Sequence, residues 1–195
     1  MLRRLAALIL TAVALSGCFV VSTNVPAGTG PINDPRLVGT WRGIDTNDGK
    51  QGNAFLTFQR TDEQKPLRLV WVESNDLQIY ELITRRIGNR DVFAATMTGP
   101  ADQLAKMKPG EPRGYFLGFY EVKGDRVTFN LLDAKAIGAL IAAKKLNGTA
   151  PKGQYDSATL SGSPAELAAF LASPDAQAAV TEEPAALRRL TPPVQ

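Results

Sequence analysis

The chain has 195 residues, with 22 Lys and Arg against 19 Asp and Glu, no His and one Cys. Its formal charge of +3 without long basic runs does not provide the clustered basic face that nucleic-acid binding needs. The lack of His and of a second Cys excludes intramolecular disulfides, thiolate metal sites and the commonest general base.

The first seventeen residues have the layout of a secretory signal peptide. Arg3 and Arg4 precede an apolar run over 5–15 that only Thr11 interrupts, and small residues follow. This run is shorter than the roughly 20 apolar residues of a membrane-spanning helix. We therefore expect residues 1–17 to be removed. The 178 residues that remain carry 20 basic and 19 acidic side chains, so the formal charge falls to +1.

The end of this segment, Leu15-Ser16-Gly17-Cys18, resembles the lipobox of bacterial lipoproteins. The resemblance implies diacylglycerol transfer to the Cys18 thiol, cleavage between Gly17 and Cys18, and acylation of the new amine. Acylation also explains why an exported chain keeps a lone Cys, and two or three acyl chains anchor a protein stably. Because Phe19 rather than Asp follows the cysteine, the same resemblance implies the outer membrane. We expect the domain to face the periplasm, although the sequence itself does not distinguish this from the cell exterior.

Composition divides the rest of the chain into three parts. Residues 18–33 contain Pro26, Gly28, Gly30 and Pro31, which predict a flexible tether after the lipidated cysteine. Residues 34–180 are predicted to form one folded domain. Residues 181–195 are rich in Pro and are predicted to form a loose tail, with at most a brief turn around Leu187.

Period-two alternation dominates the predicted domain. Val127, Phe129 and Leu131 alternate with polar residues, which is typical of a half-buried strand. Similar patterns predict strands near 37–43, 53–60, 67–73, 78–87, 91–98, 114–122, 125–132 and 155–161. Tight turns are predicted at 47–49, 88–89 and 124–125, where Gly and Asn or Asp occur together. The pattern predicts a mainly β (α+β) fold, an antiparallel meander that closes into a barrel or a strongly curved sheet.

Two stretches break the alternation and predict helices. Asp133 is placed to cap a helix over 134–146, which Asn147-Gly148 ends. Ser163 and Glu166 match a capping box with Pro at the first helical position, and Ser173-Pro174 begins another short helix toward Val180.

Gly39-Thr40-Trp41 resembles the short motif with which lipocalins and related barrels begin. The resemblance implies that Trp41 closes one end of a barrel and that Gly39 allows close approach. The alternative is that Trp41 is an ordinary core aromatic residue. The family motif has a companion arginine, and the sequence does not single one out, since Arg42, Arg126 and others are equally available.

Four aromatic residues crowd the segment over 115–120, so both faces of this predicted strand carry rings. One explanation is structural, because the predicted helix over 134–146 would cover the outer face. The other is functional: a small apolar cavity inside the barrel. We expect Trp71, Tyr80, Tyr115 or Phe119 to line it.

The residues offer little for catalysis. Ser-x-x-Lys, Gly-x-Ser-x-Gly, Gly-x-Gly-x-x-Gly and phosphate-loop motifs are all missing. The acidic group Glu73, Asp76 and Glu81 is the one set that suits a carboxylate-dependent hydrolase, but a polar hairpin turn explains it better, because Asp and Asn are the standard turn residues. We expect a non-enzymatic protein without a metal or cofactor.

Three functions remain open from the sequence. The first is an outer-membrane lipoprotein that binds a small hydrophobic ligand or a protein partner of the envelope. The second is a structural or assembly factor of the envelope. The third is a hydrolase of envelope polysaccharide.

Overall fold

A computed structural model describes residues 19–46, 48–99, 114–153 and 156–190. The predicted signal peptide and Cys18 lie outside this part of the chain. The elements are β1 (Val20–Ser22), a 3-10 helix (Pro35–Leu37), β2 (Gly39–Ile44), β3 (Gln51–Gln59), β4 (Leu67–Glu73), β5 (Asp76–Ile87), β6 (Arg90–Gly99), β7 (Tyr115–Lys123), β8 (Arg126–Leu131), α1 (Ala134–Ala142), β9 (Gly148–Thr149), β10 (Ala158–Leu160), α2 (Pro164–Ala172), α3 (Pro174–Ala178) and β11 (Ala185–Arg189).

Eight antiparallel strands close into a barrel, which confirms the predicted fold class. Strands β2 to β8 pair in sequence order, and β6 pairs with β7 without a break. Strand β11 closes the ring between β8 and β2. The architecture is consistent with a lipocalin-like barrel. Turn glycines Gly88 and Gly124 have positive φ, as the predicted tight turns require.

The predicted loose tail is wrong for residues 185–189, because β11 is the closing barrel strand. Leu187 is 1% exposed and pairs with Gly43 of β2 on one side and Val127 of β8 on the other. The segment Ala-Ala-Leu-Arg-Arg has no β-branched residue, so its own β-propensity is weak. Pairing along both edges, with Leu187 in the core, overrides that weakness.

The strand predicted over 155–161 exists but lies outside the barrel. Strand β10 covers only three residues and pairs in parallel with β1 and antiparallel with β9. It extends the sheet beside β7, whose first two residues pair with β1. The eighth barrel strand is therefore β11 rather than β10.

The predicted flexible tether is wrong for residues 19–33, which pack onto the barrel. Thr29 forms a β-bridge with Arg86, and Val20 is 4% exposed. Asn33 is fully buried, and its side-chain amide donates to the carbonyls of Asp62, Glu63 and Lys65 at 2.8, 3.0 and 2.8 Å. These contacts fix a Gly- and Pro-rich segment that composition alone assigns to a linker.

The helices start where predicted. The Asp133 carboxylate accepts from the Ala136 N–H at 2.7 Å, and the Ser163–Glu166 capping box is complete. Helix α1 ends at Ala142 rather than near 146, because Lys144 adopts a left-handed conformation with φ 57°. Together α1, α2 and α3 cover one side of the barrel, where they form an outer core with β6 and β7.

Candidate functional site

One end of the barrel is closed around Trp41. Its ring is fully buried, and its indole N–H donates to the Leu37 carbonyl of the 3-10 helix at 2.7 Å. The Arg189 guanidinium lies 4.0 Å from the Trp41 ring centroid and donates to the carbonyls of Val38 at 2.6 Å and Arg36. Gly39 has φ 126°, which a side chain would disfavour. Trp41 therefore lies at one end of the barrel, and Arg189 is the arginine that covers its ring.

A charged network lies beside Trp41 at this closed end. The buried Asp34 carboxylate pairs with Arg36 at 2.5 Å and accepts from the Tyr120 hydroxyl at 2.7 Å. Asp91 joins Arg36 to Arg86, at 2.7 and 2.6 Å. Burial acts to raise the pKa of Asp34, but the hydrogen bonds from Arg36 and Tyr120 outweigh it and lower the pKa. Every charge here has a partner within the fold, so the network stabilises structure.

The half of the barrel next to the closed end is filled by rings. Phe129 stacks on Phe58 and Tyr120, each with a 6.0 Å centroid separation, and meets Phe93 edge-on at 5.4 Å. Phe58 is 1% exposed. A ligand therefore has no room at this level of the barrel.

The opposite end of the barrel, which we call the mouth, has a different lining. Its side chains face the barrel axis and are only half-buried: Trp71, Gln78, Tyr80, Met97 and Phe116. The rings of Tyr80 and Phe116 meet edge-on at 6.4 Å, and Phe19 meets Phe116 edge-on at 5.3 Å. Residues 100–113, between β6 and β7 in the sequence, lie outside the described residues.

Polar groups occupy the rim of the mouth. The Tyr80 hydroxyl donates to the Gln78 side-chain oxygen at 2.5 Å, and the Gln78 amide donates to the Asp76 carboxylate at 2.8 Å. Burial, followed by the nearby Asp76 charge, raises the pKa of Tyr80 to about 12. The hydroxyl is therefore a neutral donor at ordinary pH.

The predicted acidic group does not form one site. Glu73 and Asp76 are directly opposite each other on β4 and β5, while Glu81 is paired with Arg68 on the outer surface. Burial raises the pKa of Glu73, the Trp71 side chain lowers it, and the Asp76 charge raises it again, with a net increase. Alternation along β5 separates Glu81 from the other two, so the hydrolase hypothesis loses its third carboxylate.

The four predicted pocket residues also lie on two different faces of the barrel wall. Trp71 and Tyr80 face the mouth, as expected, but the inclusion of Tyr115 and Phe119 is wrong, since both pack into the outer core beneath the helices. The Arg90 guanidinium lies 5.4 Å from the Phe119 ring centroid on that outer side. Packing beneath the helices therefore explains the aromatic rings on the outer face of β7.

Sequence reasoning missed Phe19, Gln78, Met97 and Phe116 at the mouth. Strict alternation from Tyr120 would have placed Phe116 inward, but the rings at 115 and 119 made both faces of β7 equally aromatic. Phe19 gave no signal, because it lies in the segment assigned to the tether.

Two cavities formed by described residues lie outside the barrel. One, of about 340 Å³, is a groove over β4 and β5 lined by Lys65, Arg68 and Glu81 among others. The other, of about 510 Å³, lies between the end of α1 and α2, where Lys145 pairs with Asp175 at 3.1 Å across its edge.

Within residues 19–46, 48–99, 114–153 and 156–190, no three His, Cys, Asp or Glu side chains are grouped as a metal site. In the same part of the chain, the helices are too short or too polar to cross a membrane.

No protein-family model matches the chain, and neither a curated protein nor a solved structure matches it.

Proposed function

We propose that the protein is an outer-membrane lipoprotein, anchored through Cys18 and facing the periplasm, whose barrel binds a small hydrophobic ligand at its mouth. The anchoring part of the proposal rests on the lipobox resemblance of Leu15-Ser16-Gly17-Cys18. The binding part rests on the geometry of the mouth.

The observation that carries the binding proposal is the contrast between the two halves of the barrel. Rings fill the closed half, whereas Trp71, Tyr80 and Phe116 remain partly exposed although they face inward. Inward aromatic surface that stays accessible is the usual lining of a small-molecule site. The filled half limits the ligand to a shallow position, so a flat apolar group would lie against these rings.

The rim indicates that the ligand also has a polar end. The side chains of Gln78 and Tyr80 are linked by a hydrogen bond and stand beside Glu73 and Asp76. An amphipathic molecule would place its polar end at this rim and its apolar body between the rings. Polar groups of this kind fix orientation in sites that are otherwise apolar.

A protein partner is the second candidate, and a specific surface favours it. Phe55, Val72 and Leu77 are cross-strand neighbours on the outside of β3, β4 and β5, and they are 38, 40 and 42% exposed. We call these three residues the apolar row. Adjacent exposed apolar side chains are a common feature of docking surfaces, so a role in envelope assembly would use this row.

Native mass spectrometry of protein purified from membranes tests the ligand proposal. We expect a retained small molecule in wild type and in Phe55→Ala, a matched control on the outer face. Tyr80→Ala, which removes a ring and its hydrogen bond from the mouth, should lose it. Equal retention in Tyr80→Ala and wild type would contradict binding at the mouth. Absence of any retained molecule, together with loss of a co-purifying protein in Phe55→Ala, would favour the second candidate.

A further inference from the structure

The carboxylates at the two ends of the barrel differ in their partners. At the closed end, Asp34 and Asp91 form ion pairs with arginines at 2.5 to 2.7 Å. At the mouth, Glu73 lies directly opposite Asp76 in the β4–β5 ladder. Among the described residues, no Lys or Arg forms an ion pair with Glu73. Like charges directly opposite each other are unfavourable, and a cation beside them would relieve the repulsion.

The surroundings of Glu73 also favour a bound cation. Burial raises the pKa of Glu73, and the charge of Asp76 contributes in the same direction. The charged form of Glu73 is therefore less stable here than in water, and a positive group nearby would stabilise it.

Aromatic rings stand beside the two carboxylates. Trp71 is two residues before Glu73 on β4, and Tyr80 is four residues after Asp76 on β5, so alternation directs all four side chains toward the mouth. The Tyr80 ring meets Phe116 edge-on at 6.4 Å. The face of an aromatic ring attracts a cation within about 6 Å of its centroid. Rings and carboxylates at the mouth therefore suit the same kind of group.

Two further acidic residues lie at this end of the barrel. Glu182 and Glu183 are exposed and precede β11, which starts at the mouth end because it runs antiparallel to β2. Two cations at this end are engaged elsewhere. Lys50 forms an ion pair within its own turn, and Arg42 lies over the Phe55 ring on the outer face. The field of these described residues would attract a positively charged ligand.

We propose that the mouth selects a cationic ligand, whose ammonium group binds at Glu73 and Asp76. Its flat apolar body lies against Trp71, Tyr80 and Phe116. The inference rests on the proposed binding of a small hydrophobic ligand at the mouth, and it adds the sign of the ligand's charge. An anionic amphiphile such as a fatty acid would bring its carboxylate against two like charges.

Three probes of similar shape and different charge test this selectivity. At neutral pH, 2-naphthylmethylamine is a cation, 2-naphthoate is an anion, and 2-naphthylmethanol is uncharged. Isothermal titration calorimetry measures the dissociation constant of each probe. The mature chain is used as isolated from cells, in phosphatidylcholine nanodiscs where it is acylated, with empty nanodiscs as the blank.

We expect wild type to bind the cationic probe at least about tenfold more tightly than the anionic one. Glu73→Gln combined with Asp76→Asn removes both charges with little change of shape, and it should reduce this ratio to about twofold or less. Glu81→Gln removes a charge from the outer face of the same strand and should keep the wild-type ratio. If the double variant does not fold, Asp76→Asn alone, at an exposed position, should still lower the ratio at least about threefold.

Tighter or equal binding of the anionic probe by wild type would overturn the charge selectivity. A tenfold ratio that survives the loss of both carboxylates would overturn their role. In either case, binding of the uncharged probe that Tyr80→Ala abolishes would leave the proposed function intact. Failure of all three probes to bind would contradict the proposed function and this inference together.

Discussion

Arg189 is the residue whose role depends most on tertiary structure. It stacks on Trp41 and donates to two carbonyls beside the 3-10 helix, which links the last strand to the first. Its neighbour Arg188 has the same charge, but it points outward and its guanidinium only approaches Asp125, at 3.6 Å. The two side chains differ because alternation along β11 sends one inward and one outward.

Replacing each arginine by alanine should separate these roles. Arg189→Ala removes the stacking contact and two hydrogen bonds to carbonyls, one part-buried and one exposed, so the free energy of unfolding should fall by about 1–3 kcal/mol. Arg188→Ala removes only a solvent-exposed ion pair and should cost about 0.5 kcal/mol or less. Urea unfolding followed by tryptophan fluorescence measures both. Equal losses would mean that Arg189 does not close the barrel end.

Residue-level prediction from the sequence succeeded where one face of a strand was clearly apolar. Trp71 and Tyr80 were assigned to the inside and do face it. Tyr115 and Phe119 were assigned wrongly, because β7 carries rings on both faces and the sequence does not show which face the helices cover. Arg189 could not be identified as the companion of Trp41, since their contact joins residues at opposite ends of the domain.

The strands between β2 and β8 were predictable because each pairs with its neighbour in sequence, and all but β6 and β7 are joined by a short connection or a marked turn. Glycines with positive φ at 49, 88 and 124 occur at the predicted reversals. Strands β1 and β11 were missed because their partners are distant in sequence and their composition suits linkers and tails. Local pattern carries no information on such long-range pairings.

Truncation tests the role of β11 as an element. A chain ending at Pro184 lacks the strand, so β2 and β8 would each expose an unpaired edge and Leu187 would leave the barrel core. We expect this chain to lose cooperative thermal unfolding, as followed by near-ultraviolet circular dichroism. A chain ending at Leu190 retains β11 and its contact with Thr40 and is the matched control. A cooperative transition in the shorter chain would show that the barrel does not need its closing strand.

At the scale of the whole molecule, a barrel filled at one end and lined by accessible rings at the other is joined directly to the proposed anchor. The absence of a flexible spacer after position 18 changes the meaning of the lipobox resemblance. If the residues after Cys18 formed a flexible tether, acylation would determine only the compartment in which the protein resides. With Phe19 packed against Phe116, acylation would also hold the barrel at the membrane without a spacer.

The central claim is therefore that the mature chain begins with an acylated Cys18. An intact mass of the protein extracted from membranes tests it most directly. We expect a chain of residues 18–195 that carries a diacylglyceryl group and an amide-linked acyl chain, and we expect Cys18→Ser to lack this mass and to leave the membrane fraction. A mature chain that starts at another residue, or one that keeps an unmodified Cys18 thiol, would contradict the account.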